Sequence, residues 1–249
     1  MIRTNQSNEP EVVSASYLSR LPRIVVYAIC ALAFGLGSAV AQEEPHRFQK
    51  DIDAFEADRL ENDIPEGAVL CVGSSSMRMW GKRMERDLAP LTVIPRGFGG
   101  SKFSDVLHFF DELVARYKPR AILIYEGDND LGGGMTPKEV LNDFMEFRKK
   151  VEELNPEIRI YVIGVKPSIV RWNLKDQFAE ANRMMKEVCE ADEQLVFIDV
   201  AEFLLDDSGE PREGIFLDDG LHLNNVGYHL WAAAVGLKIV PAESKFEAK

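Results

Sequence analysis

What most constrains this chain is an alternation. Short uninterrupted apolar runs are separated by stretches with helical period. The runs are residues 68–72 (A-V-L-C-V), 91–94, 121–125 (A-I-L-I-Y), 158–165 and 195–200. Apolar on both faces and bounded by turn residues, they read as strands buried in a parallel sheet. Between them, Phe103, Val106, Leu107, Phe110, Leu113, Val114 and Tyr117 recur at steps of three and four on one helical face. Val140, Phe144, Phe147, Val151 and Leu154 do the same, as do Leu174, Phe178, Ala181, Met185 and Cys189, and residues 226–237 close the chain. The second of these helices opens with Thr136 as N-cap, Pro137 at the first helical position and Glu139 completing a capping box.

Strands alternating with helices predict an α/β chain: a three-layer α/β/α, flavodoxin-like fold with a five-stranded, mostly parallel sheet. In such sheets ligands bind outside the carboxyl ends of the strands. No repeat, low-complexity tract or long linker divides residues 42–249, which are expected to form one domain, with 42–66 as a helical lead-in on the sheet's edge.

Residues 1–41 are set apart. Arg20 and Arg23 precede an apolar run, and Ala39-Val40-Ala41 before Gln42 fits a small-x-small cleavage site. The segment reads as a secretory signal peptide, making the protein exported, periplasmic or secreted, without stable membrane association after cleavage. The alternative is an uncleaved N-terminal membrane anchor, because the stretch from Ile24 to Ala41 is at the lower limit for spanning a bilayer. A net charge of −12 excludes nucleic acid as a partner, since phosphate binding needs clustered Lys and Arg. Cys71 and Cys189 lie in apolar-patterned segments and read as small buried hydrophobes. No Cys-x-x-Cys pair or histidine cluster offers a metal site.

The topology demands chemistry just after strands, and the polar motifs fall there. The first strand leads to Gly73-Ser74-Ser75-Ser76 and the second to Gly97-Phe98-Gly99-Gly100-Ser101. The third leads to Glu126-Gly127-Asp128-Asn129-Asp130, and Asp219-Gly220-Leu221-His222 follows the fifth. Singly, each has an ordinary explanation. A Gly-Ser strand end caps a helix, a Gly-Gly makes a tight turn, and Asn after Gly-Asp is a turn residue. Their conjunction, in order at one end of one sheet, is not ordinary.

The order Gly-x-Ser, Gly-Gly, Gly-x-Asn-Asp, Asp-x-x-His resembles blocks I, II, III and V of the SGNH (GDSL-like) hydrolases, over about Val69 to Trp231. The resemblance implies the same three-layer fold and a serine esterase, lipase or carbohydrate O-deacetylase activity. It places Ser75 as nucleophile, with Asp219 and His222 as its acid and base. It also places Gly100 and Asn129, together with the Ser75 amide, as oxyanion donors. One departure stands out: block I usually reads Gly-Asp-Ser, and here Ser74 replaces the Asp.

The residue types suit that chemistry. A serine hydroxyl needs a base within hydrogen-bond reach. Histidine can take the proton and return it to the leaving alcohol, and a carboxylate on its far nitrogen fixes the tautomer. The set requires neither metal nor cofactor. Spacing alone does not rank Ser74, Ser75 and Ser76. Arg78, Trp80, Arg171 and Trp172 are candidates either for the pocket edge or for packing and surface ion pairs. Asp128 and Asp130 are expected to pair with Arg78 or Arg96, and His46, His108 and His229 to be surface or packing residues. The expected activity is hydrolysis of short-acyl esters, acetyl esters above all, of small molecules or polysaccharides. The alternatives are an O-acyltransferase using the same triad and a catalytically silent carbohydrate-binding protein.

Overall fold

The computed structural model describes residues 46–247. The expected signal segment, and the domain boundary it implies, lie outside the described residues. Five strands, β1 (Val69–Gly73), β2 (Val93–Gly97), β3 (Ala121–Tyr125), β4 (Arg159–Ile163) and β5 (Leu195–Ile198), form one sheet in the order β2-β1-β3-β4-β5. Every pairing is parallel. This is the flavodoxin-like order the alternation predicts.

The sheet separates two cores because successive side chains point to opposite faces. Leu70, Val72, Ile122, Ile124, Ile160 and Val162 face one core. Val69, Cys71, Leu123, Tyr125, Tyr161 and Ile163 face the other. The first core is covered by α1 (Gln49–Glu61), α4 (Phe103–His108), α5 (Phe110–Leu113), α7 (Pro137–Leu154) and α8 (Lys175–Glu190). The second is covered by α2 (Ser75–Trp80), α3 (Arg83–Asp87), α9 (Ala201–Leu204) and α10 (Asn225–Glu243). A short helix, α6 (Asp128–Gly132), follows β3. Cys71 and Cys189 are free and buried.

Two local expectations differ from what forms. The second strand lies at Val93–Gly97, later than the apolar run suggested, because it includes Pro95 and Arg96. Proline is tolerated there because β2 is an edge strand and needs hydrogen bonds on one side only. The stripe from Phe103 to Tyr117 is not one helix but α4, α5 and a 3₁₀ turn over Ala115–Tyr117. Its apolar face nonetheless stays buried through both breaks. The capping box at Thr136 forms as expected: Thr136 N donates to Glu139 Oε2 at 2.7 Å and Glu139 N to Thr136 Oγ1 at 3.3 Å. α1 lies beside the β2 edge, where Asp58 pairs with Arg96 at 2.5 Å and Ile52 is buried.

At the amino ends of the strands, Glu243 ties the last helix to β4 and to Arg120, the residue before β3. Its buried carboxylate accepts from Arg159 Nε at 2.6 Å, Tyr161 Oη at 2.8 Å and Arg120 Nε at 3.0 Å. Burial pushes its pKa up, but Arg159, Tyr161 and Arg120 outweigh it, and the net shift is downward. A lowered pKa adds stability above the ordinary carboxylate range, and that stability is lost as pH falls through the folded value. Glu243→Ala strands Arg159 and the Tyr161 hydroxyl, while Arg120 keeps Glu247, and should destabilise by about 3 kcal/mol in urea unfolding at neutral pH. The difference between wild type and Glu243→Gln should shrink as the pH is taken below about 4; a constant difference would contradict the charged network.

Candidate active site

All four sequence motifs meet at the carboxyl edge of the sheet. Gly73 ends β1 with φ +149°, and a Cβ there would lie 2.3 Å from the Tyr125 carbonyl oxygen, so only glycine lets β1 and β3 run this close. Ser74 N donates to that carbonyl at 3.1 Å and Phe98 N to Gly73 O at 2.9 Å. The chain then turns directly into α2, with Ser75 as its first residue.

Burial separates the three serines. Ser74 and Ser76 are buried, whereas Ser75 is partly open. The Ser75 hydroxyl donates to His222 Nε2 at 2.9 Å, and His222 Nδ1 meets Asp219 Oδ2 at 2.6 Å. The tautomer follows from these partners: Nδ1 carries the proton and Nε2 accepts.

Asp219 and His222 come from one hairpin closed by the Phe216–Leu223 bridge, with Leu217 N donating to His222 O at 2.7 Å. Asp219 Oδ1 also accepts from the Leu221 and His222 amides, each at 2.9 Å. The His222 side chain, then these amides, hold the Asp219 pKa down to about 2. Asp219 is therefore ionised at neutral pH. The hairpin leans on the segment after β4, where Val170 N donates to Gly220 O at 3.2 Å.

The segments after β2 and β3 carry Gly100 and Asn129. Gly100 has φ +87° and a Cβ there would meet nothing within 4 Å, so its backbone is open to a ligand. Asn129 Nδ2 donates one hydrogen to Ser101 O at 3.0 Å and keeps the other. Its amide cannot flip, because Arg171 Nη2 donates to Asn129 Oδ1 at 3.1 Å. The arrangement offers a base-linked hydroxyl beside amide donors, as acyl transfer requires.

Beneath Asn129 is a buried charge cluster that the sequence did not reveal. Asp128 takes Lys166 Nζ at 2.8 Å and Tyr125 Oη at 3.1 Å, and also pairs with Arg171 Nη1. Burial raises the Asp128 pKa, but Lys166 and Arg171 more than reverse it. Asp130 accepts from Gly127 N and Phe103 N, each at 3.0 Å, linking block III to the start of α4; burial lifts its pKa to about 6 against those amides. Glu126 meets Ser101 Oγ at 2.5 Å, and burial, then Asp130, pushes its pKa well up.

The expected partners of Asp128 and Asp130 are therefore corrected. Arg96 sits on β2 facing α1, where it meets Asp58 and Tyr117, and Arg78 pairs with neither aspartate. Trp80 is packing: it is fully buried, edge-on to Trp231 at 6.3 Å. Trp172 is half-buried, and Lys175 lies over its ring at 5.4 Å. His108 and His229 are exposed, and His46 is half-buried and stacks on His108 at 4.7 Å. Among the described residues no group of His, Cys, Asp and Glu is arranged to hold a metal ion. Among them, too, no helix is long and apolar enough to cross a membrane.

The fold and this site define a carboxylic ester hydrolase. The chain belongs to the GDSL-like lipase/acylhydrolase family, whose model matches residues 64–230. No curated protein matches it in sequence. Among solved structures it is similar to a candidate platelet activating factor from Streptococcus pneumonia, at 20% identity over 84% of this chain and 97% of that one, TM-score 0.67. A GDSL-like lipase from Bacteroides thetaiotaomicron VPI-5482 is 18% identical over 77% of this chain and 98% of its own, TM-score 0.66. A carbohydrate esterase family 3 protein from Talaromyces cellulolyticus is 16% identical over 72% and 99%, TM-score 0.57. At these identities the likeness is one of fold.

If Arg171 sets the Asn129 amide, its loss should act through that donor. Arg171→Gln should lower kcat on a p-nitrophenyl ester roughly 10- to 100-fold with KM little changed. Asn129→Ala should cost about 10²–10³. The double variant should be no worse than Asn129→Ala alone; additive losses would show that Arg171 acts elsewhere.

Proposed function

We propose that the protein is a serine esterase working through a covalent acyl-enzyme on Ser75. The observation that carries this reading is the unbroken chain from the Ser75 hydroxyl through His222 to Asp219. His222 takes the hydroxyl proton as Ser75 attacks the ester carbonyl, and it returns that proton to the departing alcohol. Negative charge on the carbonyl oxygen is met by the amides of Ser75 and Gly100 and by Asn129 Nδ2. Water, activated by the same histidine, then releases the acid.

The substrate class we favour is short-acyl esters, acetyl esters above all, of carbohydrates or other small alcohols. The open setting of Gly100 and the Ile169 and Val170 side chains exposed beside the His222 hairpin support a small acyl group near the surface. A structural neighbour is a carbohydrate esterase of family 3, and another is a mutant acetyl esterase with an acetate ion. Export of the protein, by the leader of residues 1–41, fits a substrate outside the cell.

Ser75→Ala should abolish hydrolysis of p-nitrophenyl acetate, a loss of at least about 10³-fold. Ser74→Ala should retain most of the activity, since its side chain is buried away from His222. Comparable rates for Ser75→Ala and wild type would refute the mechanism. Acetate release from acetylated polysaccharide, compared with an acyl-chain-length series, tests the substrate class.

A further inference from the structure

Among the described residues almost every arginine side chain is spent. Arg47, Arg59, Arg86, Arg96, Arg116, Arg120, Arg148, Arg159, Arg171 and Arg183 pair with carboxylates. Arg83 donates to Asn225 and Arg212 to a backbone carbonyl. Arg78 is the exception: among the described residues its guanidinium has neither an acidic partner nor a hydrogen bond.

Arg78 is exposed, but its side chain is laid against the next loop instead of extending away from the site. Arg78 lies three residues after Ser75 on α2, so the two share one helical face. The guanidinium lies back over the loop before Gly100. A Cβ on Gly99 would be 2.7 Å from its Cζ and Nη2 and 2.9 Å from its Nε, so glycine at 99 is what makes room for it. The group is thus seated against the loop that presents the Gly100 amide. Arg78 also borders a cavity of about 630 Å³ along the β2 edge, where Lys82 and Glu85 are exposed and Asp58 is taken by Arg96.

Nearby charges do not account for it. Asp219 is held by His222, Asp105 by Arg47, and Asp128 by Lys166 and Arg171. Lys102 also lacks an acidic partner among the described residues, but its ammonium rests against the last turn of α6. There a Cβ on Gly133 would lie 2.7 Å from Nζ and 3.0 Å from the Asn129 carbonyl, and a helix C-terminus suits a cation.

We propose that Arg78 is a substrate-binding residue that receives a carboxylate or phosphate carried by the ester, placing an anionic group beside the bond that Ser75 attacks. A guanidinium presents a planar fork that matches either anion in two-point contact. The proposal rests on the ester-hydrolase reading of Ser75. It adds that the physiological ester is charged, as in an acetylated acidic sugar or a phosphorylated alcohol.

The test compares kcat/KM of the full chain on 3-acetoxybenzoate and on 3-acetoxyphenyl phosphate with that on neutral 3-acetoxybenzamide, each divided by its hydroxide rate. Monoethyl glutarate against ethyl pentanoate asks the same of the acyl side. At least one anionic probe should be favoured about tenfold. That preference should fall to near unity in Arg78→Gln and be partly kept in Arg78→Lys. It should also collapse in 0.5 M NaCl, where an exposed ion pair is screened. The carboxylate and phosphate arms name the anion. No preference for any anionic ester, or one untouched by both Arg78→Gln and salt, overturns the proposal. Failure of wild type to turn over any probe in a Ser75-dependent way would instead overturn the esterase reading.

Discussion

The pairing of Gly73 with Gly97 on one side and Tyr125 on the other sets the rest of the site. In a parallel sheet the strands' carboxyl ends lie at one edge, and this row of three residues is that edge. The Gly73 carbonyl receives Phe98 N and the Tyr125 carbonyl receives Ser74 N, so the loops of blocks I, II and III leave the sheet from one bonded line. A side chain at Gly73 would collide with the Tyr125 carbonyl and move α2. Because Ser75 begins that helix, the position of the proposed nucleophile is a property of backbone packing, not of its own side-chain contacts.

The donor side is held differently, by buried charge. Asp128 is buried and would be costly alone, yet Lys166 from the segment after β4 and Arg171 from the following loop surround it. Such a cluster adds little net stability, because desolvation offsets most of the attraction. Its consequence is geometric. Arg171 touches the Asp128 carboxylate and the Asn129 amide with one guanidinium, so the ion pair fixes the orientation of the amide proposed as an oxyanion donor. The acid of the hairpin is the reverse case: Asp219 is half-exposed, and its charge is kept by His222 and two backbone amides, not by burial.

How much was legible in the sequence depended on whether a residue's role was local. The strand runs, the Thr136 capping box and the order of the four motifs are read from neighbours along the chain, and the sheet order follows from the alternation. Where roles are set across the fold, sequence reasoning stopped. The strand at Pro95 was hidden because its edge position, which excuses proline, is a property of the assembled sheet. Spacing alone left the three serines unranked; the family pattern favours Ser75, and in the fold its partial exposure and its hydrogen bond to His222 set it apart. The partners of Asp128 failed for the same reason: Arg96 projects to the layer occupied by α1, while Lys166 and Arg171 arrive from beyond β4, 38 and 43 residues away in sequence. A hint was present, since Gly132 follows Asn129 closely and a Cβ there would meet the Arg171 guanidinium at 2.9 Å. Its meaning is visible only once β4 lies beside β3.

Charge gives the proposed role of Arg78 its range. At a net charge of −12 the molecule repels an approaching anion once it comes within about a Debye length of the surface, about 10 Å at 0.1 M salt. The field of one guanidinium cannot overcome that at long range, so Arg78 cannot act by steering. It acts only after encounter, by contact. Salt then has two opposed effects on an anionic ester: it relieves the general repulsion that slows arrival, and it weakens the local pair that holds the ester. A neutral ester feels neither, so the ratio between charged and neutral substrates carries both effects, and its change between wild type and Arg78→Gln isolates the contact at Arg78.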